Sequence, residues 1–332
     1  AISLIQSTIR QLSTETVPLE NSLYRHIDEY IFSAQDQPPF HRVAMDGIAI
    51  NSHALKDKIT SFLIDGIQRA GQAKQTLKNS HHCLEVMTGA ILPQNCDVVI
   101  PYEEIEINQH YAKLGANIFF KPYDNVHLQG SDYARNHRLL ERGQEIKSTH
   151  LALLASSGKK SVAVTRHPKI AVISTGDELV PPGMPLLEHQ IYRSNPYALS
   201  ALLHDFKFSN VHSFHLEDHF ETILPQLEEI ISNHEVVILT GGVSKGKFDF
   251  LPQVLTDLKV EKLFHKIAQK PGKPMWFGKG MQGQLVFGLP GNPVSCVMAM
   301  RKYVIPALLQ MTGASTKTFH PSLMGKLMTP LK

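Results

Sequence analysis

At 332 residues the chain is too long for one ordinary hydrophobic core, so roughly two or three domains are expected. With 42% hydrophobic residues, 19% charged residues and a net charge of +3, it has a globular composition and is too weakly basic to argue for nucleic acid. It has no ~18-residue apolar run for a membrane span and no signal-peptide pattern in AISLIQSTIRQLSTETVPLEN; its three cysteines (Cys83, Cys96, Cys296) suit a reducing cytoplasm.

In chain order, residues 1–34 read as two short helices. Ile2, Ile5 and Ile9 line the first, and Leu19, Leu23, Ile27 and Ile31 recur at four-residue steps in the second. Pro38-Pro39 breaks the pattern ahead of Asp46-Gly47. Residues 48–122 carry short alternating runs (CLEVMTG, CDVVIPYEEIEI, YAKLGANIFFK) between turn residues, the pattern of a mainly β domain. A glycine-punctuated stretch and the short helix LALLASSG lead to Lys169, where strands begin to alternate with helices. KIAVIST, VHSF, VVILT and QLVFG read as strands. Asn195-Pro196, Asp218, Asp249 and Asn292-Pro293 stand where helix caps are needed, and Pro225 falls inside the stripe of the second helix, so that helix either kinks or starts later. This alternation predicts a parallel, doubly wound sheet over 169–312.

In such sheets ligands collect at the carboxyl ends of the strands. Here those ends run into GDELVPPG, GGVSKGKFD and LPGNP, with KPGKP nearby, so backbone amides at Gly176, Gly241, Gly242 and Gly291 are predicted along one edge. Carboxylates at Asp177, Glu178 and Asp249 and cations at Lys245, Lys247, Lys270 and Lys273 join them. Lysines beside turn amides suit an oxyanion, and nearby carboxylates suit a hydrated Mg²⁺ bridging to phosphate. Asp177 and Asp249 serve equally well as a turn closer and a helix cap. There is no Walker A motif and no GxGxxG. A second group, Asp46, Thr88, Glu103-Glu104 and Asp132, sits in loops far away, and nothing internal to the sequence ties it to the lysines.

Taken together, PPFHRVAMDGIAI, VMTGAILPQNCDVVIPYEE, VISTGDELVPPG, YRSNPYAL, LTGGVSKGKFDF, KPGKP and GLPGNPVS resemble, in order and over about residues 2–320, the molybdopterin molybdenumtransferase family, the MoeA group that includes the gephyrin E-domain. The resemblance implies an α/β multidomain fold. It would hold an elongated linking domain (1–35 and 125–165), an inserted β-rich domain (36–124), a doubly wound parallel-sheet molybdopterin-binding domain (166–315) and, at 316–332, the start of a C-terminal β-barrel largely absent from this chain. It implies insertion of molybdate into adenylylated molybdopterin with Mg²⁺-dependent release of AMP, by a cytoplasmic homodimer with a shared active site, alongside an adenylyltransferase partner.

Carried over motif by motif, Asp46, Asp132 and Glu178 would hold Mg²⁺ or orient the attacking oxygen, and Lys270 and Lys273 would join them in catalysis. Substrate contacts fall on Thr88, Gly176, Asp177, Asp218, Gly241, Gly242, Ser244, Asp249, Lys266, Pro290, Gly291 and Pro293. The chain departs from the family pattern at His41, Val43, Ile48, His127 and Ser131. Two other readings are the adenylyltransferase step, carried by the doubly wound domain alone, and a degenerate dimeric scaffold.

Overall fold

A computed structural model describes residues 1–116, 119–242 and 251–314. The chain divides into two compact units, one of Ala1–Tyr30, Glu141–Ala155 and Lys159–Lys332, the other of Ile31–Leu140 with Ser156–Gly158.

The first unit is built on a six-stranded sheet in the spatial order Val211–Leu216, Ile170–Thr175, Val236–Thr240, Leu285–Leu289, Trp276–Lys279, Glu261–His265. Every residue of Ile170–Thr175, Val236–Thr240 and Leu285–Leu289 is buried, as strands covered on both faces must be. Side chains alternate between two cores. Ile170 and Val172 pack with Leu199, Leu203, Val304 and Leu308, while Ala171 and Ile173 pack with Leu227, Ile230 and Val254. Each Leu or Ile fully buried in this way contributes about 1.5–3 kcal/mol.

The sheet is mixed, which corrects the expected all-parallel arrangement. The first four strands are parallel. Glu261–His265 and Trp276–Lys279 form an antiparallel hairpin at one edge. EKLFH is only partly covered and follows a helix directly, so its apolar run is too short to read as a strand.

The second helix expected within 1–34 does not form either. Only Ile2–Thr8 is α-helical and Leu19–Asn21 makes a single 3-10 turn; Thr14–Pro18 instead pairs antiparallel with Ser161–Thr165, from Thr14↔Thr165 to Pro18↔Ser161. The β-branched residues of TETVP favour that partner, and the four-residue stripe fails at Leu23, which is exposed.

Farther along, Phe220–Asn233 continues through Pro225, and its cap position is His219 without a side-chain hydrogen bond, so Asp218 is not its cap. Asn292 does cap Pro293–Ala299, accepting from the Ser295 N–H. The predicted final helix is interrupted by a wider π-helical turn, Met300–Val304, just before Pro306, which has no N–H to continue the ladder.

The second unit holds another six-stranded sheet, ordered Val98–Pro101, Gly47–Ile50, His82–Val86, Ser61–Gln68, Tyr111–Leu114, Ile105–Asn108. Ala49, Leu84 and Val99 face one core and Ile48, Cys83 and Ile100 the other. Two of the family departures are packing residues here, since Val43 and Ile48 are buried. His41 Nδ1 accepts the Gln129 N–H, and His127 pairs with Arg42.

Candidate active site

The parallel strands set the edge. Ser174↔Thr240 and Thr240↔Leu289 stand in register, so the segments that follow them begin side by side. The turns need glycine for their backbone. Gly176 lies at φ +135°, where an L side chain is strained. Gly241 lies at φ +93°, and a Cβ there would lie 2.9 Å from the Thr175 carbonyl oxygen. The Thr175 hydroxyl, packed beside Gly242, is buried with no hydrogen-bond partner among the described residues. A buried hydroxyl in that state is ready to meet an acceptor that a ligand brings.

The KPGKP loop reaches this edge by a different route. Because the hairpin strand runs antiparallel, Trp276 at its start pairs with Gly288 near the end of Leu285–Leu289. The loop is anchored through Gln269, whose side-chain oxygen accepts from the Tyr303 hydroxyl at 2.8 Å. Lys266, Lys270 and Lys273 are exposed and make no ion pair among the described residues. Lys266 is held at φ 74°, a conformation a side chain rarely adopts.

A cavity of about 270 Å³ opens between the strand ends. Glu178, Gly241, Gly291 and Pro293, all expected in the site, line it, together with Thr175, Arg193 and Asn195. Pro290 is buried just behind Gly291. Asp177 lies outside the lining; its Oδ1 accepts the Asp218 backbone N–H at 3.0 Å and ties two strand-end loops together. Ser244 and Asp249, with Lys245, Lys247 and the stretch 316–332, lie outside the described residues.

In the second unit Asp46 and Thr88 meet. The Thr88 N–H and hydroxyl donate to Asp46 Oδ1 at 2.6 and 2.7 Å, and these bonds hold the carboxyl below its ordinary range although it is exposed. Asp132 is not part of that pair. It sits in an exposed turn with its N–H donated to the Gln37 carbonyl. Among the described residues, no three His, Cys, Asp or Glu side chains are grouped to hold a metal ion. All three cysteines are buried, which pushes the thiols of Cys83 and Cys96 up to about 12 and that of Cys296 to about 11, so none is poised as a nucleophile.

Known proteins match in the same order as the two halves of the chain. Residues 1–158 match the family model described as "MoeA N-terminal region (domain I and II)", and residues 171–310 match the "Probable molybdopterin binding domain". A molybdopterin molybdenumtransferase from Synechocystis sp. is 38% identical over 316 residues, covering 94% of this chain and 81% of that protein. The chain belongs to the MoeA family. A Staphylococcus aureus protein of the same description is 33% identical over 322 residues, 93% of this chain and 75% of that one. The solved structure of a molybdopterin biosynthesis MoeA protein from Pyrococcus horikoshii superposes with a TM-score of 0.80 at 32% identity, covering 95% of this chain and 80% of that chain.

In this MoeA-family chain the sequence reading missed three residues of the cavity wall. Asn195 was expected only to cap a helix. Instead its side-chain amide donates to Thr240 Oγ1 and to the Gly291 carbonyl, both at 2.8 Å, stitching two strand-end segments together. Arg193 was passed over inside YRSNPYAL, where an arginine between a strand and a helix start was the available signal. Thr175 looked like an ordinary strand end, and only its missing partner singles it out.

Proposed function

We propose that this chain acts as a molybdopterin molybdenumtransferase in molybdenum cofactor biosynthesis, inserting molybdate into adenylylated molybdopterin and releasing AMP. The observation that carries this reading is the strand-end edge. A cavity bearing one guanidinium, glycine turns and a hydroxyl stands on the same edge as a loop with three lysines, and neither the hydroxyl nor the lysines have a partner among the described residues. Molybdate and a phosphoanhydride are both oxyanions, so cations gathered at this edge stabilise the charge that develops as the phosphate link breaks. Lys266, Lys270 and Lys273 take that role, and Glu178, exposed and outside any ion pair among the described residues, orients the attacking oxygen.

Mg²⁺ takes one or two carboxylates and completes its shell with water and substrate phosphate. Glu178 fits that donor set, as do Asp46 and Asp132 in their exposed loops. When bound, the ion would neutralise phosphate charge. On the family resemblance, the site is completed in a homodimer whose second copy supplies Asp46, Thr88 and Asp132, and an adenylyltransferase supplies the substrate. The four-part domain division and the substrate contacts at Asp218, Ser244 and Asp249 are proposed on the same ground.

The test is AMP release from adenylylated molybdopterin by the purified protein, with and without molybdate. Release that depends on molybdate, and that falls roughly 100- to 1,000-fold in Lys270→Ala, as when one oxyanion donor is removed, supports the reading. Binding of molybdopterin with no AMP release would favour a scaffold instead.

A further inference from the structure

The KPGKP loop is held from the inside by one side chain. Backbone bonds close its neck. The Lys266 N–H donates to the Met275 carbonyl at 2.8 Å, and the Ile267 N–H to the Lys273 carbonyl at 2.9 Å. Residues 268–272 form the tip, where Ala268, Lys270 and Pro271 are exposed but Gln269 is half-buried and Gly272 buried. Gln269 turns inward and bonds in two directions. Its Nε2 donates to the Pro271 carbonyl at 2.9 Å, and its Oε1 accepts from the Tyr303 hydroxyl at 2.8 Å. Gly272, at φ +106°, lets the chain turn over this amide, which stands where a Cβ would be.

The other end of this chain of bonds is anchored deep. Tyr303 is 6% exposed and lies in the same core as Met275 and Cys296. It belongs to the π-helical turn Met300–Val304, and such widened turns are frequent at functional sites. Lys270 and Lys273 stand immediately on either side of Pro271-Gly272, the pair that the Gln269 amide holds. A lysine is a point charge on a flexible stem, so what the fold can set is the place where each stem begins.

We propose that Gln269 and Tyr303 are positioning residues, whose hydrogen-bonded chain to Pro271 fixes the backbone from which Lys270 and Lys273 reach an oxyanion. This rests on the function proposed above and adds two residues that act through the lysines. A misplacement of about 1 Å can cost roughly 100-fold in rate, so the loss of a single hydroxyl 33 positions after Lys270 is expected to register in the reaction.

The test compares Tyr303→Phe, Gln269→Leu and the double variant, in AMP release and in calorimetric binding of inorganic pyrophosphate. Tyr303→Phe keeps the ring and its packing. Each single variant is expected to lower kcat/KM at least tenfold and to weaken pyrophosphate at least threefold. The double variant should fall less than twofold below Gln269→Leu, because Tyr303 acts through that amide. In Lys270→Ala the effect of Tyr303→Phe should shrink to threefold or less, since one of the groups it positions is gone; a merely structural tyrosine would cost as much there as in the parent. Unchanged kinetics in both single variants, additive losses in the double variant, or an undiminished loss in Lys270→Ala overturns the proposal. The two readings separate. Molybdate-dependent AMP release that is indifferent to Tyr303→Phe and Gln269→Leu sinks the brace and leaves the function standing. The expected pyrophosphate pattern without any AMP release sinks the function and leaves the brace, and a protein that neither releases AMP nor binds pyrophosphate sinks both.

Discussion

Gly241 and Gly291 face each other on the same edge, yet the structure assigns them opposite tolerance of a methyl group. Gly241 lies at φ +93°, and a Cβ would come within 2.9 Å of the Thr175 carbonyl oxygen. Gly291 has no positive φ, and its nearest neighbour would be 3.8 Å away, which is ordinary contact. The left-handed conformation costs an L-residue about 1–2 kcal/mol. Pressing a Cβ onto a backbone oxygen that cannot swing aside costs about 1–3 kcal/mol more. The reduced entropy of the unfolded alanine chain offsets only about 0.4–1 kcal/mol. Gly241→Ala should therefore lose about 1–4.5 kcal/mol, and Gly291→Ala should stay within about 0.5 kcal/mol of the parent or gain slightly. Urea unfolding followed by tryptophan fluorescence measures this directly. The single tryptophan, Trp276, is 1% exposed in the same sheet, so it reports this unit and not the other. Equal losses in the two variants, or a stable Gly241→Ala, would refute the reasoning.

Three further predictions concern other parts of the structure. His26 and His167 are held neutral, each pKa lowered to about 4, chiefly by burial and then by the Arg25 charge. The unfolded chain therefore binds more protons between the ordinary histidine pKa of about 6.5 and about 4, and stability should fall as pH drops through that window; His26→Gln should flatten the fall in acid titrations of unfolding. Thr88→Val removes the hydroxyl bond to Asp46, so the Asp46 pKa should rise toward its ordinary value in a carboxyl-carbon NMR titration, while Thr88→Ser should leave it low. Asn195→Ala breaks two hydrogen bonds, worth about 1–3 kcal/mol together. Hydrogen exchange should show it as faster opening of the segments around Thr240 and Gly291, with the second unit unchanged.

The parts of the fold that could be read in advance were those written in local chemistry. IAVIST and VVILT are apolar up to their hydroxyl-bearing ends, and LVFGL throughout, because both faces of the sheet are covered, and Asn292-Pro293 caps its helix as its residue types dictate. What escaped depended on partners far away in the chain. Thr14–Pro18 became a strand only because Ser161–Thr165 was there to pair with it. The same holds for the site. Glycine turns and lysines announce themselves, so the edge and the Asp46–Thr88 neighbourhood were visible as motifs. Arg193 carries no motif, and only folding brings it into one cavity wall with Glu178 and Gly291. Asn195 was misread because an asparagine before a proline reads as a cap, which accepts through its oxygen; here the cap position is Ser194 and the Asn195 side-chain nitrogen donates across the strand ends.

The antiparallel hairpin has one more consequence. Three of the four parallel strands, Ile170–Thr175, Val236–Thr240 and Leu285–Leu289, are buried along their whole length, so changing a loop between them risks shifting a whole layer. The KPGKP loop joins two strands at the outer border of the sheet and passes through nothing. Its length and charge can change by insertion or exchange while the buried strands keep their register. The cationic arm is thus a replaceable part mounted on a fixed frame, and anion preference could be retuned there without redesigning the rest of the protein.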